Sequence, residues 1–299
     1  MWSGLLHKIQ QGDIKALARC ISLVENEVEG YEQFMQSLPP ASLENIIGIT
    51  GPPGAGKSTL TDALIGALTA EGKKVAVLCV DPSSPFNLGA VLGDRIRMSE
   101  WYNNPAVYIR SLASRGSMGG LHPKIIEITD VLKAAGFDHI IVETVGVGQS
   151  EIEIAGLADT TIVVLVPESG DEIQTMKAGL MEIADIFVVN KADRPGAESF
   201  TKNLRLMLAP AFQQRDHEVA IIQTIASQKK GIVELKEKIY EQTSSQNADR
   251  KKWLLAERAY QLIRTRRMKD IDKVTLKNTI DSIGNEFNFY PAPVGNAEY

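Results

Sequence analysis

Short apolar runs recur along the chain at residues 45–50, 74–80, 106–109, 139–142, 161–166, 186–189 and 219–223. Each is too short for a helix and apolar at successive positions, so each predicts a strand buried on both faces. Between them, residues 57–70, 124–135 and 173–183 return apolar side chains at helical spacing, and Glu71-Gly72 supplies a helix stop. Strands alternating with amphipathic helices predict an α/β fold with a mostly parallel sheet covered by helices. Ligands of such sheets bind at the carboxyl ends of the strands.

Both ends of the chain depart from this rhythm. Leu5, Leu6, Ile9, Ile14, Leu17, Ala18, Ile21 and Leu23 predict two helices separated by a turn at Gly12-Asp13, with Asp13 as the N-cap of the second. A third helix is expected over 27–38, ended by Pro39-Pro40. The polar stretch 242–249 marks a boundary, and two more helices follow it. In the first of them, 250–269, Trp253, Ala256, Tyr260 and Ile263 form one stripe, with Arg258, Arg264, Arg266 and Arg267 largely elsewhere. That pattern suits a packing or dimerisation helix with a solvated basic face. The expected division is a helical extension over 1–40, a nucleotide domain over 41–242, and a helical segment over 243–299.

The first strand runs into Gly51-Pro52-Pro53-Gly54-Ala55-Gly56-Lys57-Ser58-Thr59, which satisfies G-x-x-x-x-G-K-[ST] between a strand and a helix. Glycines let successive backbone N–H groups turn inward around a polyphosphate at the positive end of the following helix. Lys57 adds a point charge for the β- and γ-phosphates, Ser58 offers a hydroxyl to Mg²⁺, and Thr59 is placed to contact the α-phosphate.

Three further strand ends carry chemistry. Asn190-Lys191-Ala192-Asp193 reads N-K-x-D: Asp193 can accept from the N1–H and exocyclic amine of guanine, whereas adenine presents an acceptor where the first donor should be. Lys191 can lie over the base and Asn190 can tie this loop to the phosphate loop, so the nucleotide expected is GTP or GDP. Glu143-Thr144-Val145-Gly146 stands where GTPases usually carry D-x-x-G, and the Gly146 N–H is a candidate γ-phosphate contact that moves when that phosphate leaves. Asp81 and Asp94 are acidic candidates for Mg²⁺ waters or the attacking water; a strand-end turn and a helix cap are the plain alternatives. Gln149 is a further candidate for positioning water. Arg115 is either a phosphate contact or part of a glycine-rich mobile loop.

Composition narrows the partners. A net charge of −5 gives no general attraction to nucleic acid or anionic membrane. The sequence offers no apolar run long enough for a membrane span and no leader-like start, so a cytoplasmic protein is expected. Cys20 and Cys79 lack metal-binding spacing, and His7, His122, His139 and His217 are scattered, each expected at the surface or at a helix start.

With these residues in view, the chain resembles the MeaB/ArgK family of GTPases, chaperones of adenosylcobalamin-dependent methylmalonyl-CoA mutase. The likeness runs from about residue 17 to 276 and is carried by 51–59, 80–84, 92–98, 115–121, 142–151 and 174–193. It implies a SIMIBI-class P-loop fold with helical extensions and a homodimer formed through the C-terminal helices. It also implies Ser58, Asp81, Asp94 and Glu143 around Mg²⁺, with Asn190, Lys191 and Asp193 on guanine. Residues 167–177, including Asp171 and Lys177, match a switch that signals to the mutase. Ile225-Ala226-Ser227 stands where the family commonly has Ser-Ala: the Ala226 N–H is still placed for guanine O6, but the serine hydroxyl is missing. The implied activity is Mg²⁺-dependent GTP hydrolysis that gates cofactor loading and protection of the mutase. The alternatives are a nucleotide-dependent kinase, and a GTPase metallochaperone of the kind that carries Cys/His clusters.

Overall fold

The computed structural model describes residues 1–39, 46–81, 98–114, 121–144, 150–169, 183–212, 219–245, 248–268, 271 and 273–283. The chain forms two compact units, Met1–Leu254 and Leu255–Tyr299.

In the first unit every apolar run forms a strand: β1 (Ile46–Thr50), β2 (Val75–Asp81), β3 (Val107–Ala113), β4 (His139–Thr144), β5 (Thr160–Leu165), β6 (Ile186–Val189) and β7 (Ala220–Gln223). They make one seven-stranded sheet in the order β3-β2-β4-β1-β5-β6-β7, parallel throughout. The helices are α1 (Trp2–Gln10), α2 (Ile14–Glu25), α3 (Tyr31–Gln36), α4 (Lys57–Thr69), α5 (Ile125–Ala134), α6 (Ser150–Leu157), α7 (Ala197–Phe212) and α8 (Ile232–Ser245). After α8 come α9 (Ala248–Arg267) and, within the second unit, α10 (Lys273–Ile283).

Alternate side chains of a strand enter opposite layers. In β2, Ala76, Leu78 and Val80 join Leu17, Cys20, Ile21 and Val24 of α2 and Ile128 and Val131 of α5. Val75, Val77 and Cys79 instead join Leu60, Leu64 and Leu68 of α4 and Leu235 and Ile239 of α8. Farther along the sheet, Val163, Leu165, Phe187 and Val189 pack on Phe200, Leu204 and Leu208 of α7. Burial on both faces is the reason the strands read as unbroken apolar runs.

The N-terminal helices belong to this core. Asp13 caps α2 as expected, its Oδ1 accepting from the Ala16 N–H at 3.0 Å. Glu25, at the end of α2, accepts from Arg110 of β3 at 2.6 Å and lies 3.6 Å from His122 Nε2. The nearby His122 imidazole, together with the Arg110 guanidinium, outweighs burial and holds the Glu25 carboxyl at about 2. Beside it, Lys124 pairs with Glu27 at 2.9 Å and Glu127 at 3.1 Å and sits over the Tyr31 ring. Burial alone lifts the Cys20 thiol to about 12, so it is packing material.

Three expectations need correction. The third helix is shorter than 27–38, because Glu27 and Gly30 adopt left-handed φ values of 49° and 87° in the turn that precedes Tyr31. His139 lies neither at the surface nor at a helix start: it opens β4, is buried, and tilts against the Tyr240 ring of α8, and burial lowers its pKa. On α9, Arg258 is 8% exposed and so does not share the solvated basic face expected of it. No helix among the described residues is long and apolar enough to cross a membrane.

Candidate functional site

The carboxyl ends of β1, β4, β6 and β7 share one edge of the parallel sheet, where the loops that follow β1, β6 and β7 meet. Between β1 and α4, Gly51, Gly54 and Gly56 have φ values of 133°, 77° and 88°. Two of these glycines are also required by close approach. A Cβ on Gly51 would lie 2.1 Å from the Val164 carbonyl oxygen, and one on Gly56 would lie 2.5 Å from Asn190 Nδ2. The loop therefore turns tightly against its neighbours and delivers Gly56 as the N-cap of α4, where first-turn N–H groups favour an anion.

Lys57 is buried, and its Nζ donates to the carbonyls of Gly51 at 2.8 Å and Pro52 at 3.0 Å. The ammonium is thus held against the loop that a polyphosphate would fill. Pro52 also accepts from the Ala55 N–H, closing the turn through Pro53 and Gly54. Thr59 follows in the first turn of α4, half-buried.

Glu143 reaches this helix from the adjacent strand, where it lies in register with Ile49 of β1. It is 4% exposed; Oε1 accepts from Ser58 Oγ at 2.7 Å and Oε2 from Thr61 Oγ1 at 2.8 Å. One residue later, Thr144 Oγ1 donates to Thr50 Oγ1 at 2.9 Å, joining the start of the phosphate loop to the end of β4. A hydroxyl and a carboxylate are hard oxygen donors of the kind that hold Mg²⁺ beside phosphate, directly or through its waters, so Ser58 and Glu143 fit that cation.

The N-K-x-D loop is bound to the phosphate loop as expected. Asn190, 2% exposed, donates from Nδ2 to the Ala55 carbonyl at 3.0 Å, and its Oδ1 accepts from Thr224 Oγ1 and the Ala226 N–H, each at 3.1 Å. Lys191 takes a left-handed φ of 56° and donates to the Gly54 carbonyl at 2.7 Å. Asp193 is exposed beside this loop, as is Ser227, while Ile225 is half-buried. The Ala226 N–H, expected on guanine O6, is here given to Asn190.

Asp81 ends β2 opposite Ala113 of β3 and so emerges at the same edge; its side chain is not described. Asp94, Gly146, Gln149, Asp171 and Lys177 lie outside the described residues. Sequence reading missed Thr50, Thr61, Thr144 and Thr224. The signal available for three of them was a hydroxyl at the polar end of an otherwise apolar strand; Thr61 had no local signal.

Comparison with known proteins accounts for most of the chain. The model of the family described as methylmalonyl Co-A mutase-associated GTPase MeaB matches residues 17–279. Over 241 residues the chain is 49% identical to a Pyrococcus abyssi protein whose name places it among GTPases, covering 79% of this chain and 74% of that one. Over 237 residues it is 38% identical to the fused isobutyryl-CoA mutase of Geobacillus kaustophilus, covering 75% of this chain and 22% of that protein. Among solved structures it is similar to a LAO/AO transport system kinase, with a TM-score of 0.69, 30% identity, and coverage of 95% of this chain and 87% of that one.

Proposed function

The chain belongs to the MeaB family of methylmalonyl-CoA mutase-associated GTPases, and on that premise we propose that it gates adenosylcobalamin loading and protection of an acyl-CoA mutase through Mg²⁺-dependent GTP hydrolysis. The observation that carries the partner is the Geobacillus relative: a protein named as a mutase contains, within 22% of its length, a segment like most of this chain. Covalent joining gives two modules a high effective concentration, which is useful only where they act on each other.

At the site, the turn from Gly51 to Gly56 and the start of α4 cradle the phosphates, Lys57 neutralises their charge, and Asn190, Lys191 and Asp193 hold guanine, with the Ala226 N–H fastening Asn190 in place. Ser58, Glu143, Asp81 and Asp94 would hold Mg²⁺ and its waters, and the cation would supply charge neutralisation to the phosphates. Gln149 positions the attacking water, Gly146 senses the γ-phosphate, and Asp171 and Lys177 relay its state to the mutase. Copies of the chain pair through the C-terminal helices. Phosphoryl transfer to water asks for positioning and charge neutralisation more than for covalent chemistry, so a partner that completes the site raises turnover.

The nucleotide reading is tested by comparing GTP and ATP hydrolysis by the purified protein with and without Mg²⁺. Mg²⁺-dependent, GTP-selective phosphate release is expected. Preference for ATP would overturn the role given to Asp193. Transfer of the γ-phosphate to an acceptor other than water would favour the kinase alternative, which the name of the structural relative keeps in view.

A further inference from the structure

Threonines inside helices commonly turn their hydroxyl back to the carbonyl four residues earlier. Thr69, Thr201 and Thr243 do so here, each within 2.9 Å. Thr61 does not: fully buried on α4, it directs its hydroxyl across to Glu143 Oε2 at 2.8 Å. Ser58, three residues earlier on the same helix face, donates to Oε1 at 2.7 Å. One helix thus grips both oxygens of a carboxylate that arrives from β4.

We infer that Thr61 is a positioning residue for the divalent-cation site, fixing the plane of the Glu143 carboxylate through Oε2 so that Oε1 is held on the Ser58 hydroxyl. The inference rests on the assignment of Ser58 and Glu143 to Mg²⁺. While Ser58 gives its proton to Oε1, the lone pairs of its oxygen remain for the cation. Without Thr61 Oγ1, Glu143 loses a donor to Oε2, and its terminal torsion, which has a broad and roughly two-fold preference, loses a restraint. Outer hydrogen bonds of this type are worth about 10–100-fold in metal affinity.

The test titrates Mn²⁺, an oxygen-seeking stand-in for Mg²⁺, into the GDP-loaded full-length protein and reads free Mn²⁺ by electron paramagnetic resonance. Thr61→Val keeps the shape and removes the hydroxyl; it should weaken Mn²⁺ binding about 10-fold or more. GDP affinity in EDTA should stay at the wild-type value, and Thr61→Ser should restore most of the Mn²⁺ affinity. Circular dichroism checks each fold, and Thr61→Ala replaces the valine variant should that one not fold. Wild-type Mn²⁺ binding by Thr61→Val, together with a loss in Glu143→Gln, overturns the inference and leaves the Glu143 assignment standing. Wild-type binding by both variants removes that assignment as well. A loss that serine fails to restore assigns the effect to side-chain volume and also overturns the inference.

Discussion

The side chain of Asn190 joins three segments distant in sequence: the phosphate loop at Ala55, its own strand end, and the turn at Thr224 and Ala226. Replacing it with alanine leaves a buried carbonyl, hydroxyl and N–H to find new partners, at a cost of about 1–3 kcal/mol for each group left unsatisfied. Asn190→Ala should therefore lower the denaturation midpoint and weaken GDP binding by at least about tenfold, as read by chemical denaturation and nucleotide titration. Gly56→Ala should abolish nucleotide binding in the same titration, because its Cβ would enter the space of Asn190 Nδ2 and its φ of 88° strains any L side chain. Lys57 and Asn190 were legible in the sequence because their motifs combine residue type with fixed spacing. Thr61 was not, since nothing local distinguishes a threonine that reaches across to a carboxylate from one that bonds its own helix. The redirected Ala226 N–H was equally hidden, because it depends on where Asn190 arrives in space.

Among the elements, strands were the most legible, because a parallel sheet covered on both faces requires unbroken apolar runs. Their edges were less so: β3 extends to Ala113 through Arg110 and Ser111, polar residues that interrupt the apolar run, and the place of Arg110 is set by partners from another element. Arg110 meets Ala18, Ser22 and Glu25 of α2. This contact, with His122, fastens the N-terminal helices to the sheet. The folded pKa of Glu25, about 2, lies below its ordinary value of 4.5. Its stabilisation is therefore complete above about pH 4.5 and fades as the pH falls toward 2. Glu25→Gln should cost on the order of 2 kcal/mol at pH 7, a figure reduced for solvent screening of the partly exposed pair. In urea denaturation the gap between the two proteins should close with acidification below pH 4.5; a constant gap would mean that the charge of Glu25 contributes nothing.

For the whole molecule, the unit from Leu255 to Tyr299 exposes Tyr260, Ile263, Met268, Val274 and Leu276, each by 49% or more. Large exposed apolar residues concentrated in a short helical segment support the pairing of copies proposed above. Val274→Asp combined with Leu276→Asp should shift sedimentation from dimer to monomer while leaving intrinsic GTP hydrolysis intact. A wild-type protein that sediments as a monomer at all concentrations would remove the dimer. The fold class was legible at this scale from alternating elements, but the burial of Arg258 was not, because helix periodicity separates faces without saying which one is covered.

The central claim is that nucleotide turnover answers to a mutase, and the most direct measurement is steady-state GTP hydrolysis by the full chain with and without an adenosylcobalamin-dependent acyl-CoA mutase from the same organism. Slow GTP-selective turnover that rises when the mutase is added, with saturation as mutase concentration increases, is the predicted result. Turnover unchanged by methylmalonyl-CoA mutase and by every related acyl-CoA mutase of that organism would contradict the account of the partner while leaving the GTPase in place.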